Sequence, residues 1–422
     1  MAPVIRHTVN FPIMRVPHFG ILLLALPCSA QLSPTITSWV LNPGGVTGYN
    51  GIESNVLEVA YSTNNVWVGC NGIPGYNIGP WPGNPNDAGN QDWEFKFTLF
   101  PVENTGTPVN TPLGHIGLWS NGVTIFNPRD AMSWNMQNIW RQNAYYFEGS
   151  GFDNCLGHPN MQMEYHTHVN PTCLYNDQDS IAHSPIIGYA FDGFPIYGAY
   201  AYANTDGTGP ITRMRSSYQL RAITDRTTLP DGTVLGAGQY GPPINATYPL
   251  GAYIEDHEYL TGSGHVDEHN GRFCITPEYP AGTYAYFVSL NGDLDPAYPY
   301  VLGPAYYGTV QAGNTGPGSG HNDIDEPVEF YTGIVSVRNP VAWSVSVAPN
   351  PATESIMITG DDLADADAMI MDAIGRSIDL QFARAADQLM LDVRSLRQGP
   401  YVLQLTSASG TIGRASFVKV DR

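Results

Sequence analysis

Charge is what this sequence has least of. Only 13% of its 422 residues are Asp, Glu, Lys or Arg, and the 18 basic side chains face 38 acidic ones. A net charge of −20 excludes a phosphate-tracking groove, which needs clustered Lys and Arg, so no nucleic-acid partner is expected. Long apolar runs are also missing. No stretch reaches the ~18 residues that cross a bilayer, so no transmembrane segment is expected. Cysteine is sparse, at five residues, and no C-x-x-C pair suggests a thiolate metal site. The G-x-S-x-G elbow, the G-x-x-x-x-G-K-[ST] phosphate loop and a strand-bounded G-x-G-x-x-G are absent too, which removes the serine-hydrolase, P-loop and dinucleotide readings.

What is present points to β structure. Glycine (45) and proline (34) are abundant, and 42% hydrophobic residues with 11% aromatics can fill a sizeable core. "DWEFKFTLF" alternates, with Trp93, Phe95, Phe97 and Leu99 on one face. "GHIGLWSNGVTIFN" and "PIIGYAFDGFPIYGAY" each hold a turn pair, Asn121-Gly122 and Asp192-Gly193, between apolar runs, which predicts two-residue type I′ hairpins. "GTYAYFVSL" (282–290) predicts another strand, and 129–147 a short helix. The fold class expected is mainly β: a β-rich domain over 31–330, a linker over 331–342, and a small Ig-like β-sandwich over 343–422 whose strands include "SIMIT", "AMIMDA", "LMLDV" and "YVLQLTS".

Residues 1–30 read as an export leader. Arg6 and Arg15 precede the apolar "GILLLALPCSA", which is too short to span a membrane, and Ala30 offers a cleavage point. Removal of the leader leaves Cys70, Cys155, Cys173 and Cys274, an even number in an exported chain, with three possible connectivities. Cys155–Cys173 is favoured because it closes a short loop, with Cys70–Cys274 by elimination.

The chemistry concentrates in "MEYHTHVNPTCLY" (163–175). His166 and His168 are spaced i, i+2, which on a strand turns both rings to one face. Two neutral imidazoles so placed can take two positions on Zn²⁺ or Cu²⁺, with a third ligand from elsewhere. His183 and His158 are the candidates for it, and Asp153 and Asp192 weaker ones; four of eleven histidines fall between 158 and 183. Met161 and Met163 stand near enough to favour copper if they are not core. The plainer reading makes these histidines half-buried rings bonded to backbone carbonyls. A second cluster, "EDHEYLTGSGHVDEHNGR" (255–272), lacks the glutamate of H-E-x-x-H. Its Asp267 and Glu268 could join the first site or hold Ca²⁺, as could "NGDLDP" (291–296), although a solvated loop and a turn need no ion. Aromatics around "GPWPG" (79–83) are candidates for stacking on sugars, or simply core.

Two resemblances follow. "PNP" at 349–351, "IMDAIGR", "LDVRSL" and "GPYVLQL" resemble the C-terminal sorting domain of the type IX secretion system. That implies transport by this machinery to the surface or exterior of a Gram-negative bacterium, through residues 343–422. "GHPNMQMEYHTHVNPTCL", "HSPIIGYAFDGFPIYG" and "DEHNGRF" with "ITPEYPAGTYAYF" resemble the uncharacterised YHYH domain proteins over about 65–310. Thr167 stands where that family's name expects a tyrosine, and His269 where a cysteine is usual, which weakens the Cys70–Cys274 pairing. The resemblance implies a domain and no reaction. Together these readings make a secreted metal-binding protein the leading expectation, with metal-dependent hydrolysis or oxidation open. The alternative is a surface module binding glycans or a protein partner.

Overall fold

The computed structural model describes residues 32–333 except 317, and 345–421 except 361–362, 364–365, 373–376, 379, 381, 386–387 and 407–411. The expected leader, and most of the expected linker, lie outside the described residues.

Two sheets enclose the main core. The smaller is antiparallel, with strands Glu329–Phe330, Val56–Tyr61, Asn65–Cys70 and Trp93–Thr98 in spatial order. Its last strand buries Trp93, Phe95 and Phe97 and leaves Glu94, Lys96 and Thr98 partly exposed, as the alternation requires. The larger sheet has eight strands in the order Gly271–Cys274, Thr283–Phe287, Pro195–Tyr197, Ile186–Ala190, His115–Trp119, Thr124–Phe126, Tyr165–Thr167 and Gly157–Pro159. Its central strands His115–Trp119 and Ile186–Ala190 are buried at every position. That explains why they read as continuous apolar runs and not as alternation. Val66, Val68, Phe95 and Phe97 from one sheet and Ile116, Leu118, Tyr189, Ile196 and Tyr286 from the other belong to one core.

Both predicted hairpins form, but not with two-residue turns. Gly122 N–H donates to Trp119 O and Trp119 N–H to Val123 O. Gly122 alone of the turn pair has positive φ, at 79°. Asp192-Gly193 repeats this, with Gly193 N–H to Ala190 O, Ala190 N–H to Phe194 O, and φ 87° at Gly193. Each is therefore a three-residue loop ending in a glycine bulge. The physical reason is a side-chain bond: Asn121 Oδ1 accepts from Val123 N and Asp192 Oδ1 from Phe194 N, which keeps Asn and Asp at negative φ.

A short helix does form within 129–147, but only at its end. Arg129–Ser133 and Arg141–Asn143 pair as antiparallel strands with a 3-10 turn at Trp134–Met136 between them, and the α-helix is confined to Ala144–Phe147, capped by the Asn143 side chain. A satellite cluster of Trp140, Leu235, Ala252 and Tyr253 lies beside it. Buried Arg226 donates there to both oxygens of buried Asp256 at 2.7 Å, and to the carbonyls of Pro242, Tyr248 and Pro249. Both charges are thereby fully bonded, the condition for tolerating a buried ion pair.

Residues 345–421 form a second unit of two four-stranded sheets. Ile356, Ile358, Leu389 and Leu391 from one pack with Ile370, Leu403, Leu405 and Phe417 from the other, which makes the expected small β-sandwich.

Cys155 and Cys173 are joined, at a sequence separation of 18. The Cys70–Cys274 bridge is not formed: both thiols are free and buried. Cys70 ends a strand of the four-stranded sheet, where it packs on Gly122, whereas Cys274 lies on the edge strand of the larger sheet paired with Thr283. Burial pushes both thiols above their ordinary range.

Candidate metal centre

The edge of the eight-stranded sheet positions the histidines. Gly157–Pro159 pairs antiparallel with Tyr165–Thr167, in a register that sets His158 directly opposite His166. His168 follows two residues on, beyond the strand end. Ligating atoms of His158, His166 and His168 all lie within 4.8 Å of one another, the one such group of three His, Cys, Asp or Glu among the described residues. All three residues are buried. The hairpin stays tight because Gly157 has no side chain: a Cβ there would lie 2.4 Å from the Tyr165 ring.

The hydrogen bonds fix which nitrogen is available. His166 Nδ1 is 3.0 Å from Glu164 O and His168 Nδ1 is 2.8 Å from Asn127 O. A carbonyl oxygen only accepts, so both Nδ1 atoms carry the proton and both Nε2 atoms of the neutral rings carry lone pairs. Those two Nε2 atoms are 3.2 Å apart. Two acceptors at that distance repel unless a proton or a cation lies between them. Tetrahedral zinc–nitrogen bonds of ~2.0–2.1 Å put neighbouring nitrogens about 3.3 Å apart.

Glu148, which follows the short helix, supplies a carboxylate. Its Oε2 lies 3.2 Å from His158 Nε2 and 3.2 Å from His168 Nε2. The His158 contact is off hydrogen-bond alignment, which leaves that buried nitrogen without a hydrogen-bond partner. Burial pushes the Glu148 carboxyl up, and hydrogen bonds donated by His158 and His168 hold it below the ordinary range when those nitrogens carry a proton; a cation bound there would act in the same sense. Burial, followed by the neighbouring histidines, holds His166 well below its usual value, and burial lowers His158 too. The neutral imidazole is the form that ligates a divalent cation. Phe126 stacks on His166 with ring centroids 3.8 Å apart, and Phe152 packs on His158 at 4.8 Å, so the donors sit in an apolar collar. They open into a cleft of about 380 Å³, also lined by Arg129, Asp130 and Asn160.

The remaining candidates go elsewhere. His183 is not brought to this group: its Nδ1 bonds Ser184 O at 2.7 Å, and its ring packs against Tyr197 and Tyr202. Asp153 accepts from Gly79 N, Trp81 Nε1, Cys155 N, Gly157 N and Tyr165 Oη. It knots the base of the hairpin and has no capacity left for a metal. Asp192 is more than a turn residue. It is fully buried, accepts from Tyr286 Oη at 2.5 Å and Gly308 N at 2.8 Å, and burial pushes its carboxyl up to about 6. Met161 is 82% exposed on the cleft rim and Met163 packs against Gly89; no sulfur joins the donor group. Thr167 faces away from the cleft side, its buried Oγ1 accepting from Trp119 Nε1 at 2.8 Å.

The second polar cluster is dispersed into structural bonds. Asp256 pairs with Arg226, Asp267 accepts from Tyr284 Oη, His269 N and Gly271 N, and His269 Nδ1 bonds Ala305 O. No calcium-type group is assembled there among the described residues. "NGDLDP" is an exposed turn in which Asn291 Oδ1 accepts from Asp293 N and Asp295 N. Trp81 is buried and bonded to Asp153, so it is core. Sequence reasoning missed Glu148 and the carbonyl of Asn127. Both lie on loops 20 or more residues before His168, with no spacing that signals them.

A β-rich body with a histidine-lined cleft, followed by a separate small sandwich, is the class of protein this structure defines. Residues 94–297 match the family described as YHYH protein, and residues 346–419 match the secretion system C-terminal sorting domain. The chain thus carries a YHYH domain ahead of a sorting domain, and the latter implies recognition by type IX secretion machinery and a secreted or cell-surface protein. Among the described residues no helix is long and apolar enough to cross a membrane. No curated protein matches the chain. Among solved structures, the Lin-41 filamin domain is 14% identical, covering 20% of this chain and 99% of its own, with a TM-score of 0.16. CopC from Methylosinus trichosporium OB3b is 21% identical, covering 18% and 89%, with a TM-score of 0.15.

Proposed function

We propose that the 31–330 domain is an exported binder of one transition-metal ion. His158, His166 and His168 are its ligands through Nε2, and Glu148 is the adjoining carboxylate. The carrying observation is the pair of lone-pair-bearing Nε2 atoms 3.2 Å apart, with a third buried imidazole beside them. Zinc fits this donor set best, and Cu²⁺ is the second choice, because imidazole and carboxylate suit both and no sulfur is at hand. Residues 343–422 serve delivery.

A zinc ion held here would lower the pKa of a bound water to about 7, whereas copper would supply one-electron chemistry. The chain's own residues favour the neutral form of His158 and His166, orient His166 and His168 through carbonyls and leave one side open to the cleft. That opening favours hydrolysis or oxidation over a closed structural site. The glycan-binding alternative loses its main support because Trp81 is buried.

Elemental analysis of the purified chain tests the proposal, with wild type beside His158→Ala, His166→Ala, His168→Ala and His183→Ala. Near one equivalent of zinc or copper is expected in wild type and in His183→Ala, and little in the other three. A wild type that takes up neither metal after supplementation, with its circular dichroism intact, makes the histidines structural.

A further inference from the structure

A second cleft, of about 510 Å³, lies on the other side of the segment that carries Glu148. Its lining contains no lysine, arginine, aspartate or glutamate, although the chain carries 56 such residues other than histidine, 18 basic and 38 acidic. Aromatic rings form the walls. Tyr145 meets Tyr300 edge-on at 5.6 Å, and Phe152 and Tyr298 complete the enclosure. The Tyr300 hydroxyl lies 2.7 Å from Asn143 Nδ2, which fixes the ring. One polar group stands out on this surface. His257 stacks flat on Tyr298, with centroids 4.2 Å apart and planes 19° apart. Its Nδ1 faces Ile254 O at 3.3 Å, so the proton sits there and Nε2 presents a lone pair. Gly251 keeps the space beside Nε2 open. Its φ of +99° disfavours any side chain, and a Cβ would lie 4.0 Å from His257 Nε2 and 3.2 Å from Leu220 Cδ2.

We propose that this cleft binds a small, neutral, ring-shaped molecule bearing one hydroxyl, an aromatic alcohol, with the ring against Tyr145, Phe152 and Tyr300 and the hydroxyl donating to His257 Nε2. Uncharged walls disfavour ions, which would lose hydration without a counter-charge. An aromatic alcohol needs one acceptor and gains from ring contacts with Tyr145, Phe152 and Tyr300. The site stands independently of the metal reading, though Phe152, which lines this cleft, also packs on the His158 ring. Burial lowers the basicity of His257, which keeps the ring an acceptor at neutral pH.

Isothermal titration of the full chain with 4-methylphenol is the test, with toluene, benzoate and glucose as comparators. Saturable binding of 4-methylphenol is expected, weaker binding of toluene, and none of benzoate or glucose. His257→Phe keeps the stack on Tyr298 and removes the acceptor, and should weaken 4-methylphenol binding about tenfold. Leu220→Trp, at a position 48% exposed on the rim, should block the cleft without disturbing the core. His166→Ala should bind 4-methylphenol as wild type does, even if it loses metal. Absence of saturable binding, preference for benzoate or glucose, or unchanged affinity in both the His257→Phe and Leu220→Trp proteins would overturn the proposal.

Discussion

Single side chains in this protein are set by what they bond. Asp192 illustrates the electrostatic consequence. Burial raises its carboxyl from 3.8 to about 6 in the folded chain, so the folded state holds the proton more tightly than the unfolded one. Its contribution to stability is full below pH ~4 and is lost as pH rises through about 6, a change of about 3 kcal/mol. The difference in unfolding free energy between wild type and Asp192→Asn should therefore shift against wild type across that window, as read by urea denaturation at a series of pH values. A flat difference would mean that the Tyr286 and Gly308 bonds fully offset the burial. Glu148 makes a separate prediction. Glu148→Gln keeps the shape and removes the charge beside His158 and His168, and should lower zinc affinity by about ten- to a hundredfold in competition with a chromophoric chelator. No change in affinity would exclude the carboxylate from the site.

At the scale of elements, the histidine hairpin depends on its two ends. The Cys155–Cys173 bridge encloses all three clustered histidines. Breaking a loop of this size should cost roughly 3 kcal/mol of stability in the Cys155→Ser/Cys173→Ser protein and reduce metal retention. Thermal unfolding and elemental content measured on the same sample check both. Gly157→Ala attacks the same hairpin from inside, since its Cβ would meet the Tyr165 ring at 2.4 Å. Overpacking of this kind should cost about 1–3 kcal/mol and displace His158. If Gly157→Ala melted like wild type with full metal, the claimed closeness of the two strands would be wrong.

Across the whole molecule, the two cores are built from different residues, those of the first ending before 333 and those of the second beginning at 345. A metal that binds the folded first unit stabilises only what unfolds with it. Zinc at a hundredfold over its dissociation constant should add about 2.7 kcal/mol to that unit. Calorimetry should then show the transition of residues 32–333 moving upward with added zinc and that of the sandwich staying in place. Movement of both together would mean that the units unfold as one.

The sequence by itself determined the β class, the alternating strand 93–98, the turn positions at 121–122 and 192–193, the sandwich at the C-terminus and the meeting of the His166 and His168 rings on one side. Each of these is a local signal: a period of two, a turn residue, an i, i+2 spacing. The short helix expected within 129–147 is confined to Ala144–Phe147, because Arg129–Ser133 and Arg141–Asn143 pair as strands ahead of it. The Cys70–Cys274 expectation failed because elimination in sequence does not know that the two residues sit on different sheets. Only the tertiary structure decided that His158 joins the pair while His183 does not. Strand register sets His158 across from His166, and aromatic packing holds His183 against Tyr197. Glu148, likewise, reaches the site through the turn after a four-residue helix. Such placements depend on where loops return in space, and spacing along the chain carries no record of that.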